Sequence, residues 1–203
     1  MMPVDVIEFV SDSRTALIVL HEIYGVNRHI SGVCERYRAV GYDVYCPDLL
    51  GTAGPFPYER EEEAYGFFMD RVGFGAYSTV NDVARGIRHR YDRVFLMGFS
   101  VGATLAWICA NSGRYDGAVC CYGSRIRDHL HAAPRCPALV LFARREKAFD
   151  PENVVGKLSV MPGVRCEIFD AGHGFCDPFS RSFDRLAAEC ADAAACGFLA
   201  GLR

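Results

Sequence analysis

The sequence predicts a doubly wound α/β fold, in which a mostly parallel sheet carries helices on both faces. Three observations predict it. Apolar runs of strand length recur along the chain, segments of helical periodicity fall between them, and a glycine-flanked serine, Ser100, stands where one strand hands over to the next helix.

The strand-length runs are Thr15 to Leu20, Tyr42 to Cys46, Val94 to Met97, Gly117 to Cys121, Ala138 to Phe142 and Val164 to Phe169. All but Val164 to Phe169, which includes Arg165 and Glu167, are apolar nearly throughout, as expected of strands covered on both faces. Helical spacing marks Ile30 to Val40, Thr79 to Arg90, Val101 to Asn111, Pro151 to Leu158 and a last segment from Phe179 to Leu199. Parallel neighbours need a crossover, which these helices supply. Ligands of such folds bind beyond the carboxyl ends of the strands, so the residues just after each strand are where chemistry is sought.

The whole chain sets limits on function. Its 203 residues suffice for one hydrophobic core, and a single domain over residues 1–203 is expected. A composition of 51% hydrophobic and 23% charged residues fits a compact fold and excludes a disordered or fibrous chain. Net charge is -3, and the basic cluster from Arg85 to Arg93 fits the solvated end of a helix, so no nucleic-acid partner is expected. Apolar stretches such as Ala16 to Leu20 are far short of the roughly 20 residues of a membrane span, and Met1 to Val10 lacks the pattern of an export signal. A cytoplasmic protein without membrane association is expected. The ten cysteines form no paired C-x-x-C arrangement, and several sit inside apolar runs, so they are expected as thiols with no metal bound.

After Val94 to Met97 comes Gly98-Phe99-Ser100-Val101-Gly102, the G-x-S-x-G pattern of a nucleophile held on a sharp strand-to-helix turn. Such a turn needs small flanking residues, and the helix N-terminus beyond it favours developing negative charge. Serine needs a base to take its proton, and histidine is the usual one near neutral pH. Of six histidines, His173 follows a late strand within Gly172-His173-Gly174. His89, His129 and His131 sit among charged or loop residues, while His21 and His29 lie near the first strand. The order nucleophile, acid, histidine puts the base last in the chain, as His173 is.

The acid follows the intervening strand, where two carboxylates compete. Glu146 comes soon after Phe142 and is favoured; Asp150 precedes Pro151, a position that suits a helix cap. Glu146 has its own bland alternative, a surface ion pair with Arg144, Arg145 or Lys147. An oxyanion hole needs two backbone amides, one from the residue after the nucleophile, Val101, and one from the turn after the first strand, His21-Glu22-Ile23-Tyr24-Gly25.

These strings resemble the dienelactone hydrolase family of the α/β-hydrolase superfamily: His21-Glu22-Ile23-Tyr24-Gly25-Val26-Asn27, Gly41-Tyr42 with Cys46-Pro47-Asp48-Leu49, Gly98-Phe99-Ser100-Val101-Gly102, and Gly172-His173-Gly174-Phe175. The likeness spans nearly the whole chain. It implies a lidless α/β-hydrolase domain, no cofactor or metal, hydrolysis of small esters or lactones, and Ile23 as the second oxyanion donor. It also implies a pocket lined by Glu22, Tyr24, Tyr65 and Tyr122, although Tyr122 suits core packing equally well and Glu22 could pair with Arg28.

Two departures stand out. Dienelactone-opening members use cysteine at the nucleophile position, where this chain has Ser100, as in serine-bearing relatives with broader esterase activity. Those members also hold a substrate carboxylate with arginines, one soon after the histidine, where this chain reads Cys176-Asp177-Pro178; Arg60 is displaced by one residue from the other position. A small neutral ester is therefore the expected substrate. A thioesterase or peptidase on the same scaffold, or a binding module without turnover, are the alternatives, and oligomeric state is left open.

Overall fold

The computed structural model describes residues 4–203. A seven-stranded sheet has the order β1-β3-β2-β4-β5-β6-β7. Its strands are β1 (Val6–Phe9), β2 (Thr15–Leu20), β3 (Asp43–Pro47), β4 (Arg93–Phe99), β5 (Gly117–Cys121), β6 (Ala138–Arg145) and β7 (Val164–Gly172). All neighbours are parallel except β1, which runs antiparallel to β3 at the edge.

Both faces are covered, as the apolar strand runs require. Along β2, Ala16, Ile18 and Leu20 enter one core layer while Leu17 and Val19 enter the other. The first layer is closed by α2 (Glu61–Phe67), α3 (Tyr77–Ile87), α4 (Val101–Ala110) and α5 (Pro151–Leu158). The second is closed by α1 (Arg28–Ala39) and α6 (Arg185–Ala200), through Ile30, Cys34 and Tyr37 on one helix and Ala191, Ala195 and Leu199 on the other.

All six expected strands are present, and α5 has the expected limits. The differences have local causes. Strand β1 was not expected, because its alternating pattern is brief and its partner β3 is distant in sequence. Helix α2 follows a loop and shows only one buried residue, Ala64, which leaves little periodicity to read. The last helix begins at Arg185 rather than Phe179. Residues before it turn back on themselves, and Asp184 caps the helix by accepting from the Ala187 amide at 3.0 Å. The basic cluster is engaged at the surface, with Arg88 2.9 Å and Arg93 3.6 Å from Asp116.

What positions the site is the junction of β4 with α4. Helix α4 is buried almost all round, with Ala103, Leu105, Ala106 and Trp107 fully enclosed. It can lie so close to the sheet only because both flanking positions lack a side chain. A Cβ on Gly98 would stand 2.1 Å from the Gly102 carbonyl oxygen, and one on Gly102 would stand 2.4 Å from that of Leu20. Both contacts are with backbone, which cannot swing away. Gly102→Ala should therefore cost at least about 2 kcal/mol in urea unfolding; a loss within experimental error would show that the approach of α4 to β2 is looser than described.

Candidate active site

Ser100 occupies the turn between β4 and α4 with φ +53°, outside the comfortable region for a residue with a side chain. Such a conformation costs on the order of 1–3 kcal/mol and persists only where the surroundings enforce it. They do so here: the Ser100 amide donates to the Cys121 carbonyl at 2.9 Å, and its own carbonyl accepts from the Thr104 amide at 3.2 Å. The hydroxyl is thereby lifted off the ends of the strands.

Ser100 Oγ lies 2.9 Å from His173 Nε2, and His173 Nδ1 lies 2.8 Å from Glu146 Oε1. The three side chains come from the loops after β4, β7 and β6. The carboxyl of Glu146 is almost fully enclosed, whereas the His173 ring is 38% exposed and so open to an incoming molecule. Burial disfavours a charged His173, but Glu146, and more weakly Glu22 and Glu61, outweigh it and hold the imidazole above its ordinary value of 6.5.

Asp150, the rival carboxylate, caps α5 by accepting from the Glu152 amide at 3.0 Å. The surface pairing considered for Glu146 does not occur, because Arg144 pairs with Glu152 and Arg145 with Asp170. A register shift in β6 between Ala143 and Arg145 lies just before Glu146; irregularities of this kind re-aim the side chains that follow.

Val101 directly follows Ser100 and is nearly buried, as is Ile23. Val101 is the first residue of α4, so its amide has no partner within the helix. Ile23 lies in the turn after β2. His21 holds that turn in place: its buried ring meets the Glu22 carbonyl through Nδ1 at 2.6 Å and accepts from the Leu49 amide through Nε2 at 3.0 Å. Sequence reading left His21 without a role, since only the fold brings the loop around Leu49 against it.

The remaining expected pocket residues divide. Tyr24 is half-buried and stacks on Tyr58 with ring centroids 4.7 Å apart. Tyr65 is exposed on α2, and its hydroxyl accepts from Arg125 at 2.6 Å, tying α2 to the loop after β5. Tyr122 is fully buried and packs behind the site, 5.2 Å from the His173 ring and 5.4 Å from Phe175. Its hydroxyl faces Glu22 without a hydrogen bond of regular geometry. Arg28 stacks over Phe179 at 4.4 Å instead of pairing with Glu22. Arg60, the displaced arginine, is occupied by Glu63.

Sequence reading also missed the setting of Asp177. This carboxylate is buried, accepting from the Tyr58 hydroxyl at 2.6 Å and from the Phe179 amide at 2.9 Å; Tyr58 in turn accepts from Asn27 Nδ2 at 3.0 Å. An aspartate between Cys176 and Pro178 carries no sequence signal of burial. Its charge reaches Glu22. Burial first, and Asp177 second, push the Glu22 carboxyl up to about 7, against the opposing pull of His173 and the Tyr122 hydroxyl.

This shift has a definite sign for stability. Below the ordinary value of 4.5 both folded and unfolded chains hold the Glu22 proton. As pH rises from 4.5 to about 7 the unfolded chain releases it first, so stability falls across that window and the full penalty remains above it. Glu22→Gln, which cannot ionise, should therefore gain stability relative to the parent chain between about pH 5 and about pH 8 in denaturant titrations; a difference that stays flat with pH would contradict the shift.

Comparison with known proteins agrees with this architecture. The model of the dienelactone hydrolase family matches residues 5–202. An uncharacterized protein of Bacillus subtilis, YczH, is 41% identical over 175 residues, covering 85% of this chain and 86% of that one. A carboxymethylenebutenolidase of Pseudomonas putida is 27% identical over 202 residues, covering 92% and 86%. The crystal structure of P91, a dienelactone hydrolase-like promiscuous phosphotriesterase from metagenomic libraries, shares the fold at TM-score 0.79 and 19% identity, covering 95% of this chain and 88% of that one. With its seven-stranded sheet of the α/β-hydrolase type and a family match over nearly its whole length, the chain is a member of the dienelactone hydrolase family.

Proposed function

We propose that the protein is a serine hydrolase that cleaves small, uncharged carboxylic esters or lactones through an acyl-enzyme. One observation carries the reading: the unbroken path from Ser100 Oγ to His173 to Glu146, with steps of 2.9 and 2.8 Å. In the proposed reaction His173 Nε2 takes the proton of Ser100 as Oγ attacks the ester carbonyl. Glu146 holds the ring in the tautomer with its proton on Nδ1 and stabilises the imidazolium that forms. The amides of Ile23 and Val101 receive the oxyanion. His173 then returns the proton to the departing alkoxide, and water, activated by the same imidazole, releases the acid and restores Ser100.

The preference for uncharged substrates rests on electrostatics. Two buried carboxyl groups, Glu22 and Asp177, lie beside the site, and Arg60 is already paired with Glu63. A substrate carboxylate entering here would meet this negative charge rather than a free Arg60. Tyr24 and Tyr65 offer aromatic surface to a neutral acyl or aryl group instead.

Ser100→Ala should abolish both ester hydrolysis and labelling by a fluorophosphonate while leaving the far-ultraviolet circular dichroism unchanged; persistent labelling would remove Ser100 from the mechanism. Glu146→Gln should slow turnover by about 10³- to 10⁴-fold, whereas Asp150→Asn should leave it near the parent value; the reverse pattern would reassign the acid. The acid limb of kcat/KM should lie above 6.5, because only neutral His173 can accept the proton and Glu146 favours its charged form. Across matched p-nitrophenyl esters, a neutral acyl group should be preferred at least tenfold over one ending in a carboxylate; equal rates would refute the electrostatic argument.

A further inference from the structure

A cavity lies away from Ser100 and His173, on the other face of the sheet between α1, α6 and the segment that leads into α6. Its volume is about 380 Å³, within the range of small-molecule sites. The walls are apolar, formed by Tyr37, Met97, Phe99, Phe179 and Phe183. None of these residues takes part in the proposed hydrolysis.

Two features distinguish it from an ordinary groove between helices. The first is His29, which lines the cavity, is only 4% exposed and leaves Nε2 buried without a hydrogen-bond partner. Its ring touches Phe99 edge-on, with centroids 5.1 Å apart, and Phe99 satisfies none of its polar valence. A nitrogen so enclosed offers no surface to a ligand atom, so His29 meets an occupant through the rest of its ring. Burial lowers the proton affinity of His29 despite the charge of Asp177, which favours the neutral ring.

The second feature is charge at the rim. Arg36 is paired with Asp192, but Arg28 and Arg185 have no ion-pair partner among the described residues. The Arg28 guanidinium lies over the Phe179 ring at 4.4 Å, so this cation and an apolar wall residue meet in the same lining. Apart from that pair, Glu189 is the one acid against these two cations in the lining. The mouth thus favours an anion, while the walls favour a ring or short hydrocarbon.

We infer that this cavity is a binding site for a small amphipathic carboxylic acid, its apolar body against Phe99, Met97, Phe179 and the His29 ring, and its carboxylate between Arg28 and Arg185. The site borders the catalytic machinery from behind. Phe99 directly precedes Ser100, the Cys121 carbonyl that receives the Ser100 amide belongs to a lining residue, and Cys176 lies on the loop of His173. An occupant would therefore contact the segments that frame the nucleophile turn without entering the site itself.

Gly32 provides the test, because it lines the cavity and a Cβ there meets nothing within 4 Å. Gly32→Leu fills the space and suits helix α1 better than glycine does. Calorimetric titration with 4-phenylbutyrate should show one site on the parent chain. Affinity should fall at least tenfold in Gly32→Leu, equivalent to about 1.4 kcal/mol, and 4-phenylbutyramide should bind more weakly than the acid. On the parent chain the His29 ring resonance, assigned by its loss in His29→Gln, should move with the ligand. Undiminished binding in Gly32→Leu, an unmoved His29 signal, equal affinity for the amide, or no binding up to about 10 mM would each overturn the proposal. So would self-association of the protein that buries Phe179 and Phe183 in place of any ligand.

Discussion

The close approach of α4 to the sheet is the constraint on which the rest of the structure depends. Because Gly98 and Gly102 lack side chains, the helix backbone comes against the carbonyls of Leu20 and His21, and the chain must reverse sharply at Ser100 to enter it. That reversal drives Ser100 to positive φ. Neighbouring hydrogen bonds to Cys121 and Thr104 absorb the strain, so the hydroxyl stands clear of the sheet in a fixed direction. The same packing sets the start of α4 against the end of β2, where the turn that holds Ile23 begins.

Electrostatic control of the site comes from acids rather than from the arginines that the family resemblance led one to seek. Glu146 supports a protonated His173 directly, and Glu22 does so from a greater distance. Glu22 is itself held near neutrality by burial and by Asp177, so its charge responds to pH in the range where the imidazole titrates. Asp177 in turn is fixed by Tyr58, whose ring supports Tyr24. Asp177 thus couples Tyr58 and Tyr24, Glu22 in the turn after β2, and the segment after His173.

The two faces of the sheet carry different chemistry. Loops at the carboxyl ends of the strands assemble the proposed catalytic groups, whereas α1 and α6 leave a cavity between them that these groups do not reach. Phe99 and Cys121 are shared: Phe99 ends the strand that leads into the nucleophile turn, the Cys121 carbonyl accepts from the Ser100 amide, and both residues face the second core layer. Strands one side chain thick make such sharing unavoidable, and a molecule held on one face would touch the supports of the other.

The sequence by itself determined the alternation of strands and helices, because apolar runs and helical periodicity are local. It also determined the serine turn, because Gly98, Ser100 and Gly102 are adjacent, and it singled out His173 through its place after the last strand. Other features depended on contacts distant in the chain. Glu146 and Asp150 are too close in sequence to separate by spacing; the irregularity late in β6 and the start of α5 separate them, sending one carboxylate to His173 and the other to a helix cap. The pairing of β1 with β3, the burial of Asp177 and the fixing role of His21 likewise had no local signature. In each case a polar or edge residue acquires its surroundings only when the sheet closes, so only the tertiary structure decides what it does.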